Sequence, residues 1–310
     1  MYDLIILGLG PAGLAASIYA SRYRIKHLAV GELPGGTLTV IPQVENYPGF
    51  QKISGLALTK RLVDQAKSLG GEIKVASLAA IGRQGQTFQV KTKTGETLTA
   101  KTLIMATGME RRKLGVPGEV KYLGAGVSYC ATCDAAFFKG KTVAVAGGSN
   151  AAVMSVLHLV EFAAKIYLIY RGEALRAEPI WIERVLANPK VEVVYQTNIA
   201  EILGDGKKVT GVRLDKSYQG KEQITLDGIF VEIGGVPVIA LAKPLGVALD
   251  DKGFIKVAPD MTTNVPGLFA AGDIASVFGE MQQIVVAVAE GALAALSVFQ
   301  YLKGHVEKNG

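Results

Sequence analysis

The stretch Leu4-Ile5-Ile6-Leu7-Gly8-Leu9-Gly10-Pro11-Ala12-Gly13 decides the fold. Residues 3–8 read as a fully buried strand, and an Ala-rich helical run to about Tyr23 follows the glycines. Strand, glycine turn and helix in that order open a dinucleotide-binding unit. Gly8 makes the tight turn, Gly10 lets the backbone approach a pyrophosphate, and Gly13 lets helix and strand pack closely. The helix that begins at Pro11-Ala12 offers the free N–H groups of its first turn to the phosphates. An acid for the ribose is expected some 20 residues on. Glu32, nineteen residues after Gly13, is the candidate, and an exposed loop glutamate is the plainer alternative.

Working outward, Pro34-Gly35-Gly36-Thr37 and Val44-Glu45-Asn46-Tyr47-Pro48-Gly49-Phe50 are loops whose Gly and Pro fix turns around polar side chains. An amphipathic helix is expected over 55–70, a strand over 72–77 and a hairpin over 87–100. Thr102-Leu103-Ile104-Met105-Ala106-Thr107-Gly108 then reads as a buried strand ending on small residues, where a ligand can approach. Near the other end, Thr263 to Asp273 gives another buried strand ending in Gly272 and Asp273. The helix expected from Gln283 to Tyr301 starts with Gln283-Ile284, so Asp273 and that helix N-terminus are placed to bind the ribityl chain and phosphate of a flavin.

A second unit repeats the first. Thr142–Ala146 is a strand, Gly147-Gly148-Ser149-Asn150-Ala151-Ala152 a turn, 151–164 a helix and Ile166–Tyr170 the next strand. Its chemistry is weaker, because Ser149 stands where the second glycine belongs and its Cβ crowds a pyrophosphate. Gly147, Asn150 and Ala151 are the remaining candidates on this turn. Arg171 and Arg176 are candidates for a 2′-phosphate, the group that tells NADPH from NADH, and solvated surface arginines are the alternative.

Between the units lies Cys130-Ala131-Thr132-Cys133-Asp134, which holds the only two cysteines of 310 residues. Two residues between thiols allow a small disulfide ring with one sulfur forward for attack. Half a zinc site also uses this spacing, but His27, His158 and His305 are scattered singly and too few ligands remain, so no metal is expected. A structural disulfide would staple a loop too small to matter.

A length of 310 predicts about two domains, and 49% hydrophobic residues suffice for large cores. The chain runs from Met1 straight into the first strand without a basic leader, so a cytoplasmic protein is expected. The apolar stretch Ile284 to Leu302 is interrupted by Glu290, Gly291 and Gln300, which favours a buried helix over a membrane span. A net charge of +6, spread without basic runs or interleaved aromatics, argues against nucleic-acid binding.

In order and spacing, Gly8–Gly13, Val44–Phe50, Ala106-Thr107-Gly108, Gly126-Val127-Ser128-Tyr129 running into Cys130–Asp134, and Ala270–Asp273 resemble the low-molecular-weight thioredoxin reductases over residues 2–302. The resemblance implies an α/β fold of two Rossmann-like, doubly wound, three-layer nucleotide-binding domains, the second inserted in the first. It implies an FAD domain from 1–113 and 243–310, and a central NAD(P)H-like domain, 114–242, that carries the dithiol and turns on two connecting strands. It further implies a homodimer that reduces thioredoxin or a thioredoxin-like protein. Cys133 would face the flavin, Cys130 would attack the partner disulfide, and Asp134 would serve as acid and base. Asn46, Thr107 and Asp273 map onto flavin-lining positions.

Three departures stand out. Gly35-Gly36-Thr37 replaces Gly-Gly-Gln near the flavin. In the second turn Ser149 breaks the glycine pattern, and Met154 and Ser155 replace two acids. Tyr170-Arg171-Gly172 plus Arg176 replaces His-Arg-Arg plus a later arginine, so one of three phosphate-binding arginines is missing. The expectation is a flavin-dependent disulfide oxidoreductase with an eroded NADPH site and an open donor, NADPH, NADH or a ferredoxin. The alternatives are an ordinary NADPH-dependent thioredoxin reductase, a small-molecule dithiol oxidase, and a flavin redox sensor without turnover.

Overall fold

In the computed structural model, which describes residues 1–277 and 281–306, the opening apolar run is strand β1 (Tyr2–Leu7), with Leu4 to Leu7 fully buried. Helix α1 (Pro11–Arg22) begins on Pro11, where a missing N–H costs nothing, and β2 (His27–Gly31) pairs parallel with β1. Helix α2 (Gly55–Ser68) starts at Ser54, whose hydroxyl accepts the Ala57 N–H, and leads into β3 (Glu72–Val75), parallel to β2. Strands β4 (Leu78–Gln84), β5 (Thr87–Thr92) and β6 (Thr97–Met105) are antiparallel neighbours. No strand is expected from the sequence at 78–84, because only Ile81 of β4 is buried and no alternation shows. Nor is 102–108 a separate strand: β6 runs nine residues, leaving the antiparallel hairpin and ending beside β1 in parallel.

After β7 (Met109–Arg111) come β8 (Val127–Ser128), the single turn α3 (Ala131–Asp134) and β9 (Thr142–Ala146). Helix α4 (Asn150–Leu159) stops five residues short of its expected end, turning so that Phe162 O accepts the Gly140 N–H. Strand β10 (Lys165–Ile169) and helix α5 (Pro179–Leu186) follow. Helix α5, with Trp181 and Val185 buried, is too short at eight residues for its periodicity to register in the sequence. Strands β11 (Val191–Val194), β12 (Ile199–Gly204), β13 (Val209–Tyr218), β14 (Lys221–Thr225) and β15 (Gly228–Val231) complete this stretch. The chain then continues through β16 (Gly235–Pro237), which pairs with β7, to β17 (Leu268–Ala270) and α6 (Ile284–Val306).

The chain divides into two units, one of Met1–Glu110 with Pro237–Gly310 and one of Arg111–Val236. In the first, β3-β2-β1-β6-β17 form the parallel part of the sheet, and β5 and β4 extend it from the other half of β6. Leu4 and Ile6 point into a core with α1 and α6, whereas Ile5 and Leu7 point into the opposite core with Phe88, Val90 and Ile255. In the second unit the parallel sheet β11-β10-β9-β15-β8 is covered on one face by α4 and α5. The antiparallel β12-β13-β14 lies on the other face. Each unit is a three-layer α/β fold, and in each the first βα turn sits at the carboxyl ends of its parallel strands, where such sheets bind ligands.

Helix α6 is long and apolar enough to cross a membrane by composition, and in the fold it is the core helix packed along α1, burying Glu290, Ala294, Ala295 and Val298. The crossing is made at Gly291, where an added Cβ would lie 2.1 Å from the Ala12 carbonyl oxygen. Gly291→Ala should therefore destabilise the protein by about 1–3 kcal/mol or more, seen as a fall in Tm. Gly304→Ala, on the same helix with open space around it, should leave Tm unchanged or slightly raised.

Candidate functional site

The first glycine turn is built by backbone contacts that exclude side chains. Gly8 has φ 118°, and a Cβ there would stand 2.1 Å from the Ala106 carbonyl oxygen; one on Gly13 would stand 2.0 Å from the Gly8 oxygen. Gly10 differs: no atom lies within 4 Å of the place its Cβ would take. It is the N-cap of α1 and makes no side-chain cap, so the first-turn N–H groups face that open space. Gly36 lies beside Gly10, with Thr37 next to it in a short 3₁₀ turn, and Gly272 lies against Ala12. Pro11 opens α1, and Thr107 and Gly108 continue from Ala106, Thr107 donating its hydroxyl to Val238 O at 2.9 Å. Asn46 donates to Gln283 Oε1 at 3.0 Å, one residue before α6 begins at Ile284. Glu32 is exposed and faces Lys93 at 3.6 Å. The open face of Gly10, backed by an uncapped helix start, fits a dinucleotide diphosphate.

Two acids sit beneath this turn. Glu290 is 3% exposed and accepts the Gly272 N–H. Burial pushes its carboxyl up to about 7; the Gly272 N–H opposes this and neighbouring Asp273 adds to it. Burial also raises the Asp273 carboxyl. In the sequence Glu290 shows only as an interruption of an apolar run, because its partner lies 18 residues away.

Cys130 and Cys133 form a disulfide, with Cα atoms 5.3 Å apart. Cys130 is the N-cap of α3, and its sulfur accepts the Cys133 N–H at 3.2 Å. Asp134 accepts the hydroxyl of Ser128 at 2.6 Å, and Ser128 Oγ accepts the Cys130 N–H at 3.0 Å. Ser128 thus ties the acid to the sulfur loop, a contact across six positions that no motif spacing announces. Among the described residues no group of His, Cys, Asp and Glu is arranged to hold a metal.

The second turn has different surroundings. Gly147 has φ 141°, and a Cβ there would meet the Glu232 carbonyl oxygen at 2.1 Å, as at Gly8. Ser149 is the N-cap of α4 and makes no side-chain cap. Asn150 Oδ1 accepts the Glu178 N–H at 2.7 Å and its amide donates to Glu178 Oε1 at 3.3 Å; Ala151 follows in the first turn. The Arg176 N–H donates to Gly148 O at 2.7 Å, while the Arg171 and Arg176 side chains are exposed. Cβ atoms on Gly148 and Gly172 would both collide with the Tyr170 ring, at 2.5 and 2.6 Å.

The sequence profile of the pyridine nucleotide-disulphide oxidoreductases matches residues 2–291. Thioredoxin reductase of Listeria monocytogenes is 39% identical over 305 residues, which cover 98% of this chain and 94% of the relative. Lactococcus lactis thioredoxin reductase superposes with a TM-score of 0.94 at 34% identity, covering 98% of this chain and all of that one. A ferredoxin-flavin thioredoxin reductase from Clostridium acetobutylicum superposes with a TM-score of 0.53 at 34% identity, covering 98% of each chain.

The raised Glu290 carboxyl carries a pH dependence. Its folded value, about 7, lies above the ordinary 4.5, so the folded chain holds a proton that the unfolded chain has released. Its contribution is full below the unfolded value and is lost as pH rises through about 7, on the order of 3 kcal/mol in all. Tm should fall between about pH 5 and pH 8, and Glu290→Gln should flatten that slope. An unchanged slope in the variant would assign the dependence elsewhere.

Proposed function

The chain belongs to the pyridine nucleotide-disulphide oxidoreductase family and is a flavoprotein oxidoreductase acting on a sulfur group, with FAD as its cofactor; within that frame we propose that it reduces thioredoxin or a thioredoxin-like protein through Cys130 and Cys133, with electrons from a donor other than a nicotinamide nucleotide. The observation that carries the first part is the Cys130–Cys133 disulfide at the start of α3 with Asp134 anchored beside it. The relatives named for thioredoxin reduction support the partner.

Bound FAD supplies the two electrons that reopen the disulfide. The remaining steps belong to the chain. Cys130, whose sulfur already receives the Cys133 N–H, is the thiol whose anion the local backbone favours. It attacks the partner disulfide, forms a mixed disulfide and expels one partner thiolate. Cys133 then attacks Cys130, releasing the second partner thiolate and restoring the internal disulfide. Asp134, held by Ser128, gives and takes the proton that each thiolate gains or loses. The first unit is assigned to FAD on the strength of its open glycine turn, with Gly8, Gly10, Pro11, Ala12, Gly13 and Gly36 at the diphosphate. Asn46, Thr107, Asp273, Gln283 and Ile284 line the rest. The reading also places the enzyme in the cytoplasm as a homodimer, the compartment in which a dithiol is kept reducible.

The donor follows from the departures. Gly172 in place of an arginine removes one charge-assisted hydrogen bond to a 2′-phosphate, worth about 1.5–3 kcal/mol, or roughly ten- to more than a hundredfold. NADPH then loses most of its advantage over NADH, and Ser149 weakens both. The Clostridium acetobutylicum relative, named for ferredoxin, supports an iron–sulfur protein as the working donor. Anaerobic titration of the flavoprotein should show the flavin bleached by reduced ferredoxin and only poorly by NADPH or NADH. Efficient reduction by micromolar NADPH, with NADH far behind, would return the chain to ordinary NADPH-dependent reduction.

The two sulfurs are separable. Cys130→Ser should leave Cys133 as a thiolate beside oxidised flavin and give a long-wavelength charge-transfer band, whereas Cys133→Ser should not. Both variants should lose disulfide reduction. A band in Cys133→Ser alone would reverse the two roles.

A further inference from the structure

The two glycine turns of this chain are equivalent by their hydrogen bonds. Gly8 N–H donates to Val30 O at 2.7 Å, and Gly147 N–H donates to Ile169 O at 3.0 Å, so Leu9 corresponds to Gly148 and Gly31 to Tyr170. In the first turn the side chain belongs to Leu9 and glycine ends the strand: a Cβ on Gly31 would stand 3.2 Å from Leu9 Cγ. In the second turn the two have exchanged places. The Tyr170 ring reaches from Gly148, where a Cβ would lie 2.5 Å from its Cδ2 and Cγ, to Gly172, where one would lie 2.6 Å from Cε1 and 2.9 Å from the hydroxyl.

No side chain can stand at 148 or 172 while that ring is in place. The ring spans from the turn that would take a pyrophosphate to the residues after the second strand that would take the ribose. The 170–178 segment is fastened there by the Arg176 N–H on Gly148 O and by the paired contacts of Asn150 with Glu178. Glu178 also sets a carboxylate at the first residue of α4, and Glu232, accepting the Ser155 hydroxyl at 3.0 Å, sets another beside the middle of that helix. Both carry the same sign as a diphosphate, and Arg111 pairs with Glu232.

We propose that Tyr170 is the specificity-determining residue for the electron donor: its ring fills the second glycine turn with the protein's own side chain, excludes adenine dinucleotides, and dictates glycine at 172. This rests on the reading that nicotinamide nucleotides are not the working donors, and it replaces erosion of the turn with occupation of it. An arginine at 172 would meet the Tyr170 ring where it now stands.

The test is calorimetric titration of the FAD-loaded protein with NADPH, comparing wild type, Ser149→Gly/Gly172→Arg, and the same pair with Tyr170→Ala. The pair alone should bind no more tightly than wild type and should melt earlier, because the new side chain meets the ring. The triple variant should bind about tenfold more tightly or better. Equal gains in both variants, or no gain in either, would overturn the role of Tyr170. Should the paired variant fail to fold, Tyr170→Ala alone, titrated with ADP, which needs no 2′-phosphate contact, should gain about tenfold over wild type; no gain would overturn the proposal equally. Tight NADPH binding by the wild type would defeat the donor reading itself, whereas a wild type that does not bind and a paired variant that does would defeat only Tyr170.

Discussion

Close approach of backbone to backbone, made possible by missing side chains, fixes the first unit. Gly8 lies against Ala106 O, Gly13 against Gly8 O and Gly291 against Ala12 O, each too close for a Cβ. These contacts press α1 onto the end of β1 and α6 onto α1, so the start of α1 is held at the carboxyl ends of β1 and β6 with its N–H groups uncapped. An anion site made this way needs no charged side chain, only room. That room is the open space at Gly10.

The second unit keeps the frame and changes the contents. Gly147 makes the same approach to a neighbouring strand as Gly8, with Glu232 O in place of Ala106 O. What differs is Ser149 at the N-cap, the Tyr170 ring against the turn, and carboxylates bonded to Asn150 and Ser155 of α4. A glycine turn therefore serves two ends in one molecule. In the first unit it leaves open space at Gly10, and in the second the Tyr170 ring stands against it. The division agrees with the proposed function, in which the donor is not a bound nucleotide.

Much of this was legible in the residues. Strand β1, the two turns, β9 and α6 follow from runs long enough to carry a period and from glycines whose spacing has one physical use. The isolated pair of cysteines announced sulfur chemistry, while the separate roles of Cys130, Cys133 and Asp134 came from resemblance. Strand β4 was not legible because it buries a single side chain, and α5 because it is two turns long. Ser128, Glu290 and the wedge at Tyr170 were hidden for another reason. Their meaning lies in partners at Asp134, Gly272 and Gly148, and sequence spacing does not report which side chains meet across a fold. Gly172 read from the sequence as a lost arginine; the structure adds that a Cβ there would lie 2.6 Å from the Tyr170 ring.

The central claim is that one turn is open and the other is filled by the protein itself. A crystal structure of the FAD-loaded protein soaked in saturating NADP⁺ tests it directly. The account predicts a dinucleotide at the first turn, its diphosphate against Gly10, and the second turn empty of ligand with Tyr170 still between Gly148 and Gly172. A nicotinamide dinucleotide ordered on the second turn, with the Tyr170 ring displaced, would contradict it.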